Sequence, residues 1–247
     1  MATTSDPKAI FADLRYVRFN RRRMEHVESL GLEVAGRSVL EVGAGIGDLT
    51  AYFADRGCRV TTSDAREQNL AMLRKRYRGN ERVQIEALDI DQPSADFPGP
   101  FDITFCFGLL YHLIHPAEAI GFLAKRTTDL MLLETVVMLG DEAEMRLVDE
   151  GTVQANLSLT GKGCRPTRAW VMREMGRHFE HVYVPVRQPW HEEYTNQWQK
   201  PPGTDLLLSR AMFIASRKQL HNATLTSDLP TVQERGEISR AGRQAER

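Results

Sequence analysis

Cysteine is scarce in this 247-residue chain: Cys58, Cys106 and Cys164 form an odd, widely spaced set with no CxxC pair. That excludes a disulfide framework and a zinc knuckle and leaves reduced thiols. An excess of either charge is also missing. Thirty-two Lys and Arg meet 33 Asp and Glu, a formal net charge of -1, so the chain as a whole has no attraction for nucleic acid phosphate or an anionic membrane. Long apolar runs are absent as well; Val136 to Leu139 and Leu206 to Leu208 fall far short of the roughly 20 residues that span a bilayer. The opening MATTSDPKAIFADLRYV has no basic start, apolar core and cleavage site, and this points to the cytoplasm rather than to secretion. What is present, 42% hydrophobic and 26% charged residues, suits one sizeable α/β domain.

Apolar side chains at Ile10, Phe11, Leu14, Val17, Met24, Val27 and Leu30 recur at about the helical period and stop at Gly31, so residues 1–35 read as a helical extension. The same stretch carries Arg15, Arg18, Arg21, Arg22 and Arg23, a solvated polar face in the first instance and an anion contact in the second. From Ser38 onward apolar runs alternate with helix-period segments, among them SVLEV, CRVTTS, RVQIEAL, FDITFCF and DLMLLETVVM. Runs rich in Val, Ile, Leu and Phe without strict alternation predict a mostly parallel, doubly wound sheet with helices on both faces, over residues 36–218. An acidic, irregular insertion, DEAEMRLVDEGTVQ, follows Gly140, and residues 219–247 read as a polar tail, loosely held or packed on a partner.

The strongest motif is VLEVGAGIGDLT, a strand entering a glycine turn that opens a helix. Gly43, Gly45 and Gly47 give the spacing GxGxG; the dinucleotide fingerprint would need its third small residue where Asp48 stands. Glu41, on the strand before the turn, adds a second acid, unsuited to phosphate and suited to an ammonium. Glycines there admit a ligand close to the backbone.

These residues resemble the first motif of the class I S-adenosylmethionine-dependent methyltransferases, and later segments follow that family's order from about Gly36 to Ala215. The resemblance implies a seven-stranded sheet of order 3-2-1-4-5-7-6 and S-adenosylmethionine as cofactor. It implies that Glu41, Gly43, Gly45 and Gly47 frame the methionine part, that Asp64 with Ala65 takes the ribose hydroxyls, and that Asp89 and Ile90 lie at the adenine. Cys106, Phe107 and Gly108 match the segment beside the methionine. A shorter stretch, Gly108 to Glu142, is similar to the enzyme that carboxymethylates a tRNA wobble uridine, and this keeps tRNA modification as the alternative; near-zero net charge makes nucleic acid an unfavoured partner. A non-catalytic, cofactor-binding partner subunit is a third reading.

Methyl transfer to a hydroxyl needs in-line placement and one base. In GLLYHLIHP, Tyr111 and His112 lie just past a strand's carboxyl end, where ligands collect in open α/β sheets, and His112 is the candidate base. His115 is weaker, since Pro116 marks a helix start. Glu134, ending LMLLE, is placed to orient His112 or hold a substrate hydroxyl. A metal site from His112, Glu134, Asp141, Glu142 and Glu144 is conceivable, but they show no spacing with a metal preference, so a divalent metal is left open without support from the ligand pattern. Arg165, Arg168, Trp190, His191, Tyr194 and Trp198 combine aromatic faces with polar groups, as a sugar or other polar small-molecule acceptor would need. A homodimer is left open.

Overall fold

Strand β1 (Ser38–Val42) buries side chains on both of its faces. Val39 packs with Ile103, Phe105, Leu132 and Ile214 toward Val27, Leu30 and Phe53. Leu40 packs with Cys106, Leu133 and Phe213 toward Ile120, Leu123, Val171 and Met175. A strand covered on both sides has no use for alternating polarity, which is why these segments read as continuous apolar runs. The computed structural model describes residues 6–151 and 157–236.

Two helices open the chain, α1 (Pro7–Phe11) and α2 (Leu14–Ser29), their first turns capped by the side chains of Asp6 and Asp13. β1 and the short α3 (Thr50–Ala54) follow, then β2 (Arg59–Asp64), α4 (Glu67–Arg76), β3 (Val83–Ala87) and β4 (Phe101–Phe107). A 3-10 turn at Leu110–His112 leads into α5 (Pro116–Arg126), which has proline in its first turn. Strand β5 (Thr127–Met138) runs past Glu134, the residue taken as its end; Glu134 pairs with Phe107, the last residue of β4.

The sheet order is β3-β2-β1-β4-β5-β9-β8-β10. With β8 (His181–Pro185) and β9 (Leu208–Ser216) as its sixth and seventh strands, this is the expected 3-2-1-4-5-7-6, to which β10 (Leu225–Thr226) adds an antiparallel edge on β8. β1 to β5 pair in parallel, and β9 enters antiparallel between β5 and β8. The order reverses between β1 and β4, which opens a crevice at their carboxyl ends.

Two regions differ from expectation. The acidic insertion is an antiparallel hairpin, β6 (Met145–Asp149) with β7 (Lys162–Pro166), that forms its own two-stranded sheet before α6 (Arg168–Gly176); residues 152–154 of the insertion lie outside the described part. The tail, through residue 236, packs on its own chain. Leu225 and Gln233 are buried, Asn222 donates to the Leu30 carbonyl at 2.7 Å and Gln233 to the Pro185 carbonyl at 2.5 Å. Its remainder, 237–247, lies outside the described residues, as do residues 1–5 of the extension. Among the described residues no helix is long and apolar enough to cross a membrane.

Candidate functional site

The strand ends at the crevice supply a cleft lined by Gly43, Gly45, Asp64, Ala65, Asp89, Ile90, Phe107 and Gly108. Eight of the eleven residues assigned to the cofactor therefore line one cleft. Glu41 lines an adjoining recess with Gly43, Ala44 and Asp48. Gly47 lines neither; its carbonyl accepts the Tyr77 hydroxyl at 2.6 Å. The space freed at the glycine turn is used differently from expectation. Gly45 has φ +59°, and a Cβ there would come within 2.8 Å of the Phe11 ring, so its missing side chain makes room for α1, whose Phe11 also borders the cleft.

Asp64 accepts from the Gly45 amide at 2.9 Å, the Arg66 amide at 2.9 Å and Asn69 at 3.1 Å. Burial raises its pKa against these three donors, and a carboxylate with about four lone-pair directions keeps acceptor capacity toward the cleft. Arg66 donates to the carbonyls of Leu157 and Ser158 at 2.9 and 3.0 Å, holding that segment against the cleft's edge. Glu41 is buried and accepts from the hydroxyls of Thr50 and Thr62. Loss of solvent outweighs these bonds and pushes its pKa up to about 7. Cys106 sits in the core, its thiol raised to about 12 by burial.

A second cavity, of about 900 Å³, meets the cleft at Tyr16, Gly108 and Tyr111. Its walls come from α1, α2, the loop after β8 and β9: Ile10, Arg15, Phe19, Arg23, His191, Glu192, Glu193 and Arg210. At its base the fully buried Glu134 accepts from Arg23 at 2.6 Å through one oxygen, and from Arg210 and the Tyr194 hydroxyl, both at 3.2 Å, through the other. Both guanidiniums face the Phe19 ring, at 3.8 and 4.7 Å from its centroid. Arg23 also borders the recess beside Gly43, and its Nε is buried with no partner among the described residues.

His112 is bound elsewhere than expected. Its Nδ1 is 2.6 Å from Glu150, whose other oxygen accepts from Arg165 at 2.8 Å. Burial would raise the Glu150 carboxyl, but the bond and charge of His112 and of Arg165 outweigh it and hold it below its usual value. Glu134 has no contact with His112; its two oxygens are taken up by the network above, and Glu150, from the overlooked hairpin, orients the imidazole. His112 borders the cleft, Tyr111 both the cleft and the cavity. His115 begins α5, its amide donating to Asp91 at 2.9 Å. Among the described residues no three His, Cys, Asp or Glu side chains converge as a metal site.

Of the six acceptor candidates, His191 alone lines the cavity. Its Nδ1 accepts the Glu193 amide at 3.3 Å, and burial lowers its pKa, with Arg18 and Arg210 pushing the same way against Glu192 and Glu193. Tyr194 supports Glu134 from the core. Trp198 is buried and donates to Gln233 at 2.9 Å, with the buried Arg168 stacked on it at 3.8 Å and bonded to the Pro230 carbonyl. Both residues hold the tail. Arg165 belongs to the His112 network, and Trp190 is 48% exposed and lines neither space. The sequence reading missed Tyr16, Phe19, Glu150 and Arg210, and named Arg23 only as one of five arginines on a solvated face or at an anion contact. Two of these were findable: Tyr16 and Phe19 are spaced three apart, on one face of α2.

Residues 39–128 match a family model described as a methyltransferase domain. Curated relatives include the ubiquinone biosynthesis O-methyltransferases of Bordetella parapertussis, 28% identical over 47% of this chain and 47% of the relative, and of Thiobacillus denitrificans, 31% identical over 49% and 51%. The chain spans about half the length of the curated relatives it matches. Similar solved structures include the N-terminal domain of EvdMO1 with SAH and D-fucose, with TM-score 0.61 and 20% identity over 87% of this chain and 84% of that one. Another is magnesium protoporphyrin IX methyltransferase from Synechocystis with bound SAM, with TM-score 0.56 and 15% identity over 88% and 92%. These two likenesses show the fold.

Proposed function

We propose, from the membership of this chain in the class I S-adenosylmethionine-dependent methyltransferases, that it methylates a hydroxyl of a polar small molecule, such as a sugar, seated in the 900 Å³ cavity. One observation carries this reading: the cleft that holds the motif residues and the cavity share Tyr16, Gly108 and Tyr111, so a donor in one has a short route to an acceptor in the other. The D-fucose named with EvdMO1 and the O-methylation in the names of the curated relatives support an oxygen acceptor of this kind.

The residues present fit the cofactor. When bound, S-adenosylmethionine supplies a methyl group already activated on a sulfonium. Asp64 has acceptor capacity for a ribose diol, and Glu41 suits an ammonium. Arg23, with a buried and unpartnered Nε at the recess beside Gly43, suits the carboxylate at the methionine end. Tyr16, Gly108 and Tyr111 bound the passage to the cavity, which sets the direction of approach. His112 is the proton acceptor. Glu150 engages its Nδ1, which leaves Nε2 as the basic nitrogen of a side chain that lines the cleft, and the Tyr111 ring lies against the imidazole, tilted 42° with centroids 3.9 Å apart.

The test is mass analysis of small molecules retained by the purified protein, followed by an acceptor screen that follows transfer of a labelled methyl group. With a turned-over acceptor, His112→Ala should lower kcat by about 10²- to 10⁴-fold with cofactor affinity kept. A fall of less than about fivefold leaves placement alone as the mechanism. NAD bound more tightly than S-adenosylmethionine would overturn the reading.

A further inference from the structure

A buried guanidinium, Arg23, and a partly exposed one, Arg210, share one buried carboxylate at the base of the cavity. Arg23 is 2% exposed and Glu134 0%, and Glu134 is the only acid among the described residues within ion-pair distance of Arg23. Arg210 has a second acid, Glu193, at the cavity's more exposed wall. Two arginines and two acids therefore balance in charge, but the Arg23 Nε remains buried with no partner among the described residues, and a buried donor left unpaired is costly unless a ligand accepts from it.

The two arginines serve different spaces. Arg23 borders the recess beside Gly43 and touches the turn at Gly108, where a Cβ would lie 3.1 Å from its Nη2. Arg210 borders only the acceptor cavity, where it reaches the Tyr111 hydroxyl at 3.4 Å. Each is bonded to a different oxygen of Glu134, and the Tyr194 hydroxyl fixes the carboxylate from the loop side.

We propose that Glu134 is a positioning residue that aims Arg23 at the carboxylate of the cofactor's methionine end and, through its second oxygen, couples that contact to Arg210 in the acceptor cavity. The proposal rests on the methyltransferase reading. It assigns Glu134 no contact with substrate and no proton transfer. Its physical basis is rigidity: a guanidinium held by one carboxylate, one amide oxygen (Asn20 at 3.1 Å) and one ring face loses its strongest anchor when the carboxylate becomes an amide, and a charge-assisted bond is lost on the Arg210 side as well.

The test is calorimetric binding of two probes, S-adenosylhomocysteine and 5′-methylthioadenosine, which lacks the amino acid end. Glu134→Gln should weaken S-adenosylhomocysteine by about tenfold and 5′-methylthioadenosine by less than about twofold. Arg210→Met, remote from the cleft, should weaken S-adenosylhomocysteine severalfold with the same selectivity. Tighter or unchanged S-adenosylhomocysteine binding in Glu134→Gln would make Glu134 a mere competing counter-charge and overturn the proposal, as would equal weakening of both probes. If Glu134→Gln does not fold, Arg210→Met and Tyr194→Phe decide: unchanged selectivity in both overturns it. Failure of the unaltered protein to bind either probe would instead overturn the methyltransferase reading, and the proposal with it.

Discussion

The cleft and the cavity meet at Gly108 and are assembled in opposite ways. The cleft takes its residues from the carboxyl ends of neighbouring parallel strands, so the sheet's hydrogen bonding places Gly43, Asp64, Asp89 and Gly108 side by side. The cavity depends on side chains. Its central carboxylate, Glu134, takes partners 111, 76 and 60 positions away in the chain, from a helix, a strand and a loop that only tertiary packing brings together. Backbone geometry tolerates loss of a single side chain; a buried ionic hub does not.

The difference should be largest at the hub. Glu134→Ala leaves the Arg23 and Arg210 guanidiniums without their shared acid and should cost about 3 to 5 kcal/mol of folding stability, read by urea denaturation. A loss below 1 kcal/mol would mean that the cavity is no more dependent on side chains than the cleft.

The next effect belongs to the acid of the recess. Glu41 ionises near 4.5 when unfolded and near 7 in the native protein, so between these values the native state holds the extra proton. Stability is then fully present below pH 4.5 and falls as the pH rises through 7, by on the order of 3 kcal/mol. Glu41→Gln should flatten this dependence, with denaturation midpoints compared at pH 5 and pH 8. An ammonium in the recess favours the carboxylate, so binding of S-adenosylhomocysteine near pH 6.5 should release protons. Calorimetry in buffers of different ionisation enthalpy would detect that release.

A smaller change is expected at Asp64. Removal of the diol acceptor in Asp64→Ala should weaken S-adenosylhomocysteine by about 1 to 3 kcal/mol, with a smaller stability loss than at Glu134. Unchanged affinity would remove Asp64 from the ribose. The smallest effect is at Trp190, exposed and outside both spaces. Trp190→Ala should change stability by no more than about 0.5 kcal/mol and leave the acceptor KM within about twofold. A larger rise in KM would extend the cavity outward to this loop.

The same contrast explains what could be read without coordinates. Strand-end residues follow their strands in the sequence, so the segments ending at Asp64, Asp89 and Gly108 announced themselves once the apolar runs were assigned. Arg23 was hidden in a run of five arginines in which Arg15, Arg18 and Arg21 are exposed while Arg22 and Arg23 are buried; a charge run gives no sign of which member turns inward. The hairpin carrying Glu150 escaped because Met145–Asp149 is partly exposed throughout, without the apolar pattern that marks a core strand. The tail was read as loose because it is tied by bonds to backbone carbonyls at Leu30 and Pro185, which no side-chain pattern predicts.

The placement of β9 between β5 and β8 sets a timetable for the chain as it is made. The strand-end residues of the cleft are all synthesised by Gly108, ahead of the rest of its lining at His112 and Leu157, whereas Arg210, on β9, comes 102 positions after Gly108. At about 5 to 20 residues per second, on the order of ten seconds separate the two. Until β9 is made, the edge of β5 beside Glu134 has no strand to pair with, whereas its other edge has β4. Adding β9 to the sheet both covers the edge of β5 and brings Arg210 to Glu134, so one late strand completes the sheet and the ionic hub together.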